Sequence, residues 1–153
     1  MARGLMQEEG RETMNQQVEA LILAHEREGD FLRAPLDDSA LRNAESELGV
    51  KLPAQYVDFL RRYGHGGIGG VTVLGVGLDG SMVFAEETEE YRPDGLPDGL
   101  VVVENCDEWL YCIDCSNGKV VSWSPYDDDG VVEVYEDFDS YLLDTFNDAI
   151  ENM

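Results

Sequence analysis

The amino-acid sequence predicts an α+β fold: N-terminal helices, a central, largely antiparallel (mixed) sheet of about five or six strands, and a C-terminal helix packed on the sheet. Three observations carry that expectation. Apolar residues recur at helical spacing as far as Tyr63, alternate at strand spacing from Gly70 onward, and return to helical spacing after Asp137. Helices followed by a run of short strands argue for segregated α+β packing. An antiparallel sheet needs its apolar face covered, and the terminal helices are the available cover. At 153 residues the chain supports one well-packed core. Residues 1–153 are therefore read as one domain, with 1–36 an added helix and linker and 37–153 the core.

The helices come first. Over residues 12–28, Met14, Val18, Leu21, Ile22 and His25 form one stripe of an amphipathic helix. Gly29 and Pro35 interrupt it. Asp37, Asp38 and Ser39 supply N-cap chemistry for a second helix, whose Leu41, Ala44 and Leu48 face one way before Gly49 ends it. Pro53 suits the first turn of a third helix, where its missing N–H costs nothing, and Tyr56, Phe59, Leu60 and Tyr63 form that helix's apolar face.

The strands follow. "VTVLGV" and "SMVFAE" are read as two strands joined by a turn at Leu78–Gly80. "EETEEYR" is too polar for a core and is read as a connection. "PDGLPDGL" is a tandem repeat of Pro-Asp-Gly turns, a linker loop. "LVVVE", "EWLYCIDC", "KVVSWS" and "VVEVYE" are further strands, separated by turns at Ser116–Gly118 and "YDDDG". Asp137 or Asp139 caps the last helix, in which Phe138, Tyr141, Leu142, Phe146, Ala149 and Ile150 form the buried stripe.

Charge is the loudest feature of composition. Lys and Arg total 10 against 33 Asp and Glu, a net charge of −23. Residues 1–63 carry eight basic and twelve acidic residues, a balance of −4; residues 64–153 carry only Arg92 and Lys119 against 21 acids, a balance of −19. So negative a surface repels nucleic-acid phosphates and anionic lipid headgroups and attracts a basic protein. Solubility or adaptation to salt explains the same charge. The opening "MARGLMQEEGRE" lacks the apolar stretch of a signal peptide, and no apolar run reaches membrane-span length, so the expected location is the cytoplasm and the three cysteines are expected as reduced thiols.

Four motifs suggest chemistry, and each has a plainer explanation. Gly64, Gly66 and Gly69 fit the G-x-G-x-x-G spacing, but dinucleotide binding needs a strand before the glycines and a helix after them. Here the order is reversed. The glycines instead end the third helix in a left-handed turn and permit a tight reversal. Cys112 and Cys115 form C-x-x-C within an alternating, strand-like segment, where positions i and i+3 face opposite ways, so they are read as small buried apolar residues. Cys106, Cys112, Cys115 and His65 lack the paired knuckles of a structural zinc site. Asp127, Asp128 and Asp129 do not alternate as calcium-loop ligands do and are read as a hairpin turn or an acidic tip facing a partner. His25 lies on an apolar stripe and is read as packed.

"ESELGVKLPAQYVDFLRRYGHGG", from Glu45 to Gly67, resembles the signature of the SUKH superfamily, which includes the Smi/Knr-like proteins. Glu45, Leu48, Gly49, Leu52, Pro53, Tyr56, Phe59, Leu60, Gly64, Gly66 and Gly67 carry the resemblance. The family often has Asn before its paired glycines, whereas this chain has Gly-His-Gly-Gly. "GLVVVENCDEWLYCIDCSNGKVVSW", with Asp114 and Trp123, and "YEDFDSYL" are similar to later family elements, so the likeness spans about residues 38–150. The resemblance implies a mixed sheet packed by helices and, in bacteria, an immunity protein that binds and neutralises a cognate toxin domain, often a nuclease. Eukaryotic relatives act in signalling and cell-wall regulation, and a scaffold or regulatory adaptor is the second reading.

No catalytic residue, cofactor or metal is expected. The expected partner is a basic toxin domain, with no direct nucleic-acid or membrane binding, and the chain is expected as a monomer or weak homodimer. Its candidate anchors are Glu86, Glu87, Glu89, Glu90, Asp127, Asp128 and Asp129, with Trp109 and Tyr126 as aromatic contacts.

Overall fold

The computed structural model describes residues 14–153. Helix α1 (Met14–His25) buries Val18 and Ile22, and it packs along the last helix. Residues 12 and 13 of the expected helix lie outside the described residues. Helix α2 (Asp38–Leu48) starts where the Asp37 carboxylate accepts the Ser39 N–H, at 2.9 Å, and stops at Gly49, whose φ of 74° is left-handed. Helix α3 (Ala54–Arg62) begins directly after Pro53, which stands at the cap and not inside the first turn, and buries Tyr56, Phe59 and Leu60. Glu45 braces the turn between α2 and α3 by accepting the Leu52 N–H at 2.8 Å.

The stretch from Val71 to Tyr91 departs from the sequence reading. "VTVLGV" forms no strand pair with "SMVFAE"; Val73 and Val76 make only isolated bridges, to Gly66 and Met82. Val83–Tyr91 is helix α4, with Phe84, Ala85 and Thr88 buried, so "EETEEYR" is neither a connection nor excluded from the core. The physical reason lies in Thr88. It occupies the inward face one turn after Phe84 and satisfies its hydroxyl on the Phe84 carbonyl at 2.7 Å, so a polar residue completes the helical stripe.

Among the described residues, strands β1 (Leu100–Asn105), β2 (Leu110–Asp114), β3 (Val120–Trp123) and β4 (Val132–Tyr135) form one sheet in the order β1-β2-β3-β4. It has four strands and not five or six, and every pairing is antiparallel and none mixed. Helix α5 (Phe138–Glu151) follows, with Asp137 as the cap that accepts the Ser140 N–H at 2.8 Å.

Strand β4 is largely exposed, while β1 to β3 are buried on both faces. On one, Val101, Val103, Ile113 and Val120 join the aromatic core of Phe31, Tyr56, Phe59, Phe84, Phe138 and Phe146 contributed by loops and helices. On the other, Leu100, Val102, Leu110, Cys112, Val121 and Trp123 make a smaller cluster with Leu96, covered in part by Tyr91 of α4. Cys112 points into this second cluster, Cys115 packs against the first, and both are free thiols. The outer edge of β1 is closed: Thr88 Oγ1 accepts the buried Val102 N–H at 2.9 Å, and Leu74 donates to the Val103 carbonyl at 2.8 Å. The β4 backbone pairs with β3 alone among the described residues.

In "GHGGIGG", Gly64, Gly66 and Gly67 serve close backbone contact. A Cβ on Gly66 would stand 1.9 Å from the Asp30 carbonyl oxygen, and one on Gly75 would stand 1.7 Å from that of Gly64. His65 accepts the Gly75 N–H on Nδ1 at 3.0 Å, and burial lowers its pKa, so the neutral ring is part of the same crossing.

Candidate functional site

Two β-bulges build the site. In β1, Val102 opposes Cys112 and Glu104 opposes Tyr111, so Val103 is the extra residue. Cross-strand partners share a face. Unbroken alternation would put Glu104 on the face of Val102; the bulge turns it to the face of Tyr111. In β4, Tyr135 opposes Val120 and Glu133 opposes Val121, so Val134 is extra and Tyr135 is turned to that same face. Helix α5 then crosses above, with Tyr141 pointing down.

The result is a cluster of aromatic rings beside a carboxylate. Tyr111, Tyr135 and Tyr141 stand 5.6 to 6.2 Å apart between ring centres, and Trp109 meets Tyr111 edge to face at 6.2 Å. Tyr141 donates to Glu104 at 2.6 Å, and Tyr135 donates to Asp144 at 2.7 Å. Burial holds the Glu104 carboxyl above its ordinary pKa, against the opposing effect of hydrogen bonds from Tyr141 and Cys106. Burial, and then the Glu104 charge, push the Cys106 thiol up to about 12, so it is no nucleophile at neutral pH.

Glu104, Cys106, Trp109, Tyr111, Tyr135 and Asp144 wall a cleft of about 420 Å³, with Tyr141 buried behind them. Its floor is the Trp109–Tyr111–Tyr135 face, one wall is Asp144 and Asp148, one turn apart on α5, and the rim is the Gly69–Val71 loop. Gly69, at φ +63°, comes close enough to α5 that a Cβ there would lie 3.1 Å from that of Ala149. Among the described residues, no Lys, Arg or His lines the cleft. The ion pairs found among the described residues, such as Arg61–Asp38 and Lys119–Glu133, involve none of its carboxylates. Among the described residues no group of three or more His, Cys, Asp or Glu could hold a metal ion, and no helix is long and apolar enough to cross a membrane.

Of the anchors expected from the sequence, Trp109 alone lines this cleft, with 41% of its surface exposed. Glu86, Glu89 and Glu90 are exposed on α4. Glu87 is half-buried and accepts the Asn105 side-chain amide at 2.7 Å, so it is not one of the freely exposed acids. Asp127, Asp128 and Asp129 lie exposed in the turn between β3 and β4, beside Tyr126, which is 76% exposed. Sequence reasoning passed over Glu104, Tyr111, Tyr135, Asp144 and Asp148. The four-residue spacing of the two Asp on a helix was the one local signal; the bulges left none.

The SUKH_5 family model, described as SMI1-KNR4 cell-wall, matches residues 14–147, a span that takes in α1. Among solved structures, the fold is similar to that of a protein from Pseudomonas syringae pv. tomato, with a TM-score of 0.68 and 21% identity. That likeness covers 88% of this chain and 98% of the other.

Proposed function

The chain belongs to the SUKH_5 family, and on that premise we propose that it is a non-catalytic immunity protein that binds a cognate, basic toxin domain and neutralises it by protein–protein contact in the cytoplasm. The observation that carries this reading is the uneven charge: −19 over residues 64–153, the part of the chain that forms α4, the sheet and α5. Three cations of the helical part are engaged nearby, Arg33 with Glu26, Arg61 with Asp38 and Arg62 with Glu19 and Asp58. A basic toxin surface is steered towards the strand-rich part. Glu86, Glu87, Glu89, Glu90 and Asp127 to Asp129 act as electrostatic anchors, and Trp109 and Tyr126 as aromatic contacts.

Co-expression with the C-terminal domain of a toxin encoded by the adjacent reading frame tests the proposal. Protection of the cells, together with a complex whose affinity falls as salt rises, is the expected result. A toxin that still kills, with no complex at low salt, rejects immunity for that pair. The cell-wall wording of the family description favours one alternative, a regulatory adaptor of the same fold, whose partner would have no lethal activity.

A further inference from the structure

We propose that the cleft between β2, β4 and α5 seats one arginine side chain presented by the basic partner. The walls match that chemistry on two independent counts. A guanidinium stacks on aromatic faces, and Trp109, Tyr111 and Tyr135 offer such faces in one concave surface. A guanidinium also forks onto carboxylates, and Glu104, Asp144 and Asp148 line the same cleft with no cation among its described lining residues. The Tyr141 and Tyr135 hydroxyls each grip one carboxylate, at 2.6 and 2.7 Å, so Glu104 and Asp144 are oriented before a ligand arrives.

Other occupants fit less well. Three carboxylates repel a phosphate or a nucleotide, and the described residues offer no metal-ligating group here. At about 420 Å³ the cleft is within the range of small-ligand sites, about 300–1,000 Å³. Burial disfavours the charged form of Glu104, and a cation set beside it would relieve that cost. The inference deepens the partner-binding reading and rests on it for the source of the arginine.

The test uses Nα-acetyl-arginine amide and its neutral isostere, Nα-acetyl-citrulline amide, added to the full ¹⁵N-labelled chain. The expected result is a saturable shift of the Trp109 indole N–H and of the Gly69, Gly70 and Thr145 amides, with a Kd of about 1 mM, given by the arginine probe and not by citrulline. Asp144→Asn and Glu104→Gln should each weaken it at least about threefold. Asp144 lies at the surface and Asn preserves its acceptor oxygen, so that variant reports even if Glu104→Gln fails to fold. Equal shifts from both probes overturn the proposal. So do non-saturating shifts spread over Glu86–Glu90 and Asp127–Asp129, or an unchanged Kd in Asp144→Asn. The probe needs no toxin, so the two readings fail separately. Arginine binding without toxin neutralisation would leave the cleft standing and reject immunity; neutralisation by a chain that does not bind the probe would do the reverse.

Discussion

The Tyr141 hydroxyl donates a 2.6 Å hydrogen bond to Glu104, tying the closing helix to the bulged end of β1. Tyr141 is fully buried, and burial biases Glu104 towards its neutral form. The hydrogen bond works the other way and favours the ionised carboxylate. Tyr141→Phe should therefore destabilise the fold by about 1–3 kcal/mol, and by more at a pH above the Glu104 titration than at one below it, because the lost bond favours the ionised carboxylate. Urea unfolding at the two pH values measures this, and equal losses would contradict it.

Asp139 is buried in the first turn of α5. Burial first, and then the charges of Asp137 and Asp58, push its pKa up to about 6. A pKa raised on folding contributes stability that is complete below the unfolded value, about 4, and is lost as pH climbs through 6. Asp139→Asn should remove that loss. The variant is expected to exceed the parent by about 1–2 kcal/mol above pH 7, after allowance for partial solvent screening, and to match or trail it near pH 4. Thermal melts across pH 4–8 would show the curves cross.

Thr88 hangs α4 on β1, donating to the Phe84 carbonyl and accepting the Val102 N–H. Thr88→Val keeps the shape and strands that buried N–H, at a cost of about 1–3 kcal/mol. Thr88→Ser should recover most of it. Hydrogen exchange at the Val102 amide separates the two variants, fast in Val and protected in Ser.

Gly66 and Gly80 both have positive φ, 132° and 84°, yet only Gly66 faces a wall. Gly66→Ala drives a methyl to 1.9 Å from a backbone oxygen and should cost more than about 4 kcal/mol, seen as loss of soluble folded protein. At Gly80, where a Cβ meets nothing within 4 Å, alanine should cost about 1–2 kcal/mol from backbone conformation alone.

Burial holds the Cys106, Cys112 and Cys115 thiols at about 12. Iodoacetamide at pH 8 should label the native chain on the order of a hundredfold more slowly than the urea-unfolded one. Comparable rates would show that the thiols are reactive after all.

The parts of this fold that were legible are those with a local code. Asp37, Gly49 and Asp137 mark helix ends because a cap needs only neighbouring residues. The short, β-branched and apolar runs of Leu100–Asn105 and of its three successors, set between turn residues, marked the strands. Helix α4 was hidden because its inward stripe runs through Thr88, which is apolar only in effect, once both its hydrogen bonds are made. The cleft was hidden for a different reason. Glu104, Trp109, Tyr135 and Asp144 come from three elements and the turn before β2, and two of them face the cleft only because an extra residue reverses the alternation. A period of two, read through Val103 and Val134, places both on the wrong side. Charge asymmetry was legible at once, since it needs no geometry, but it marks a half of the chain and not a place.

The unequal edges of the sheet have a consequence for handling the protein. Thr88 and Leu74 close β1, while among the described residues nothing pairs with the outer backbone of β4, and Val132 and Val134 are about half exposed beside it. Such a rim invites an identical rim to zip against it. At −23 the molecules hold one another off through solution, over a distance that concentrated salt shrinks from about 8 Å to 3 Å. Colloidal stability is thus lent by the carboxylates and withdrawn in brine or mild acid. Light scattering should find single chains in dilute neutral buffer and growing particles as either is added, with Val134→Lys restoring clarity.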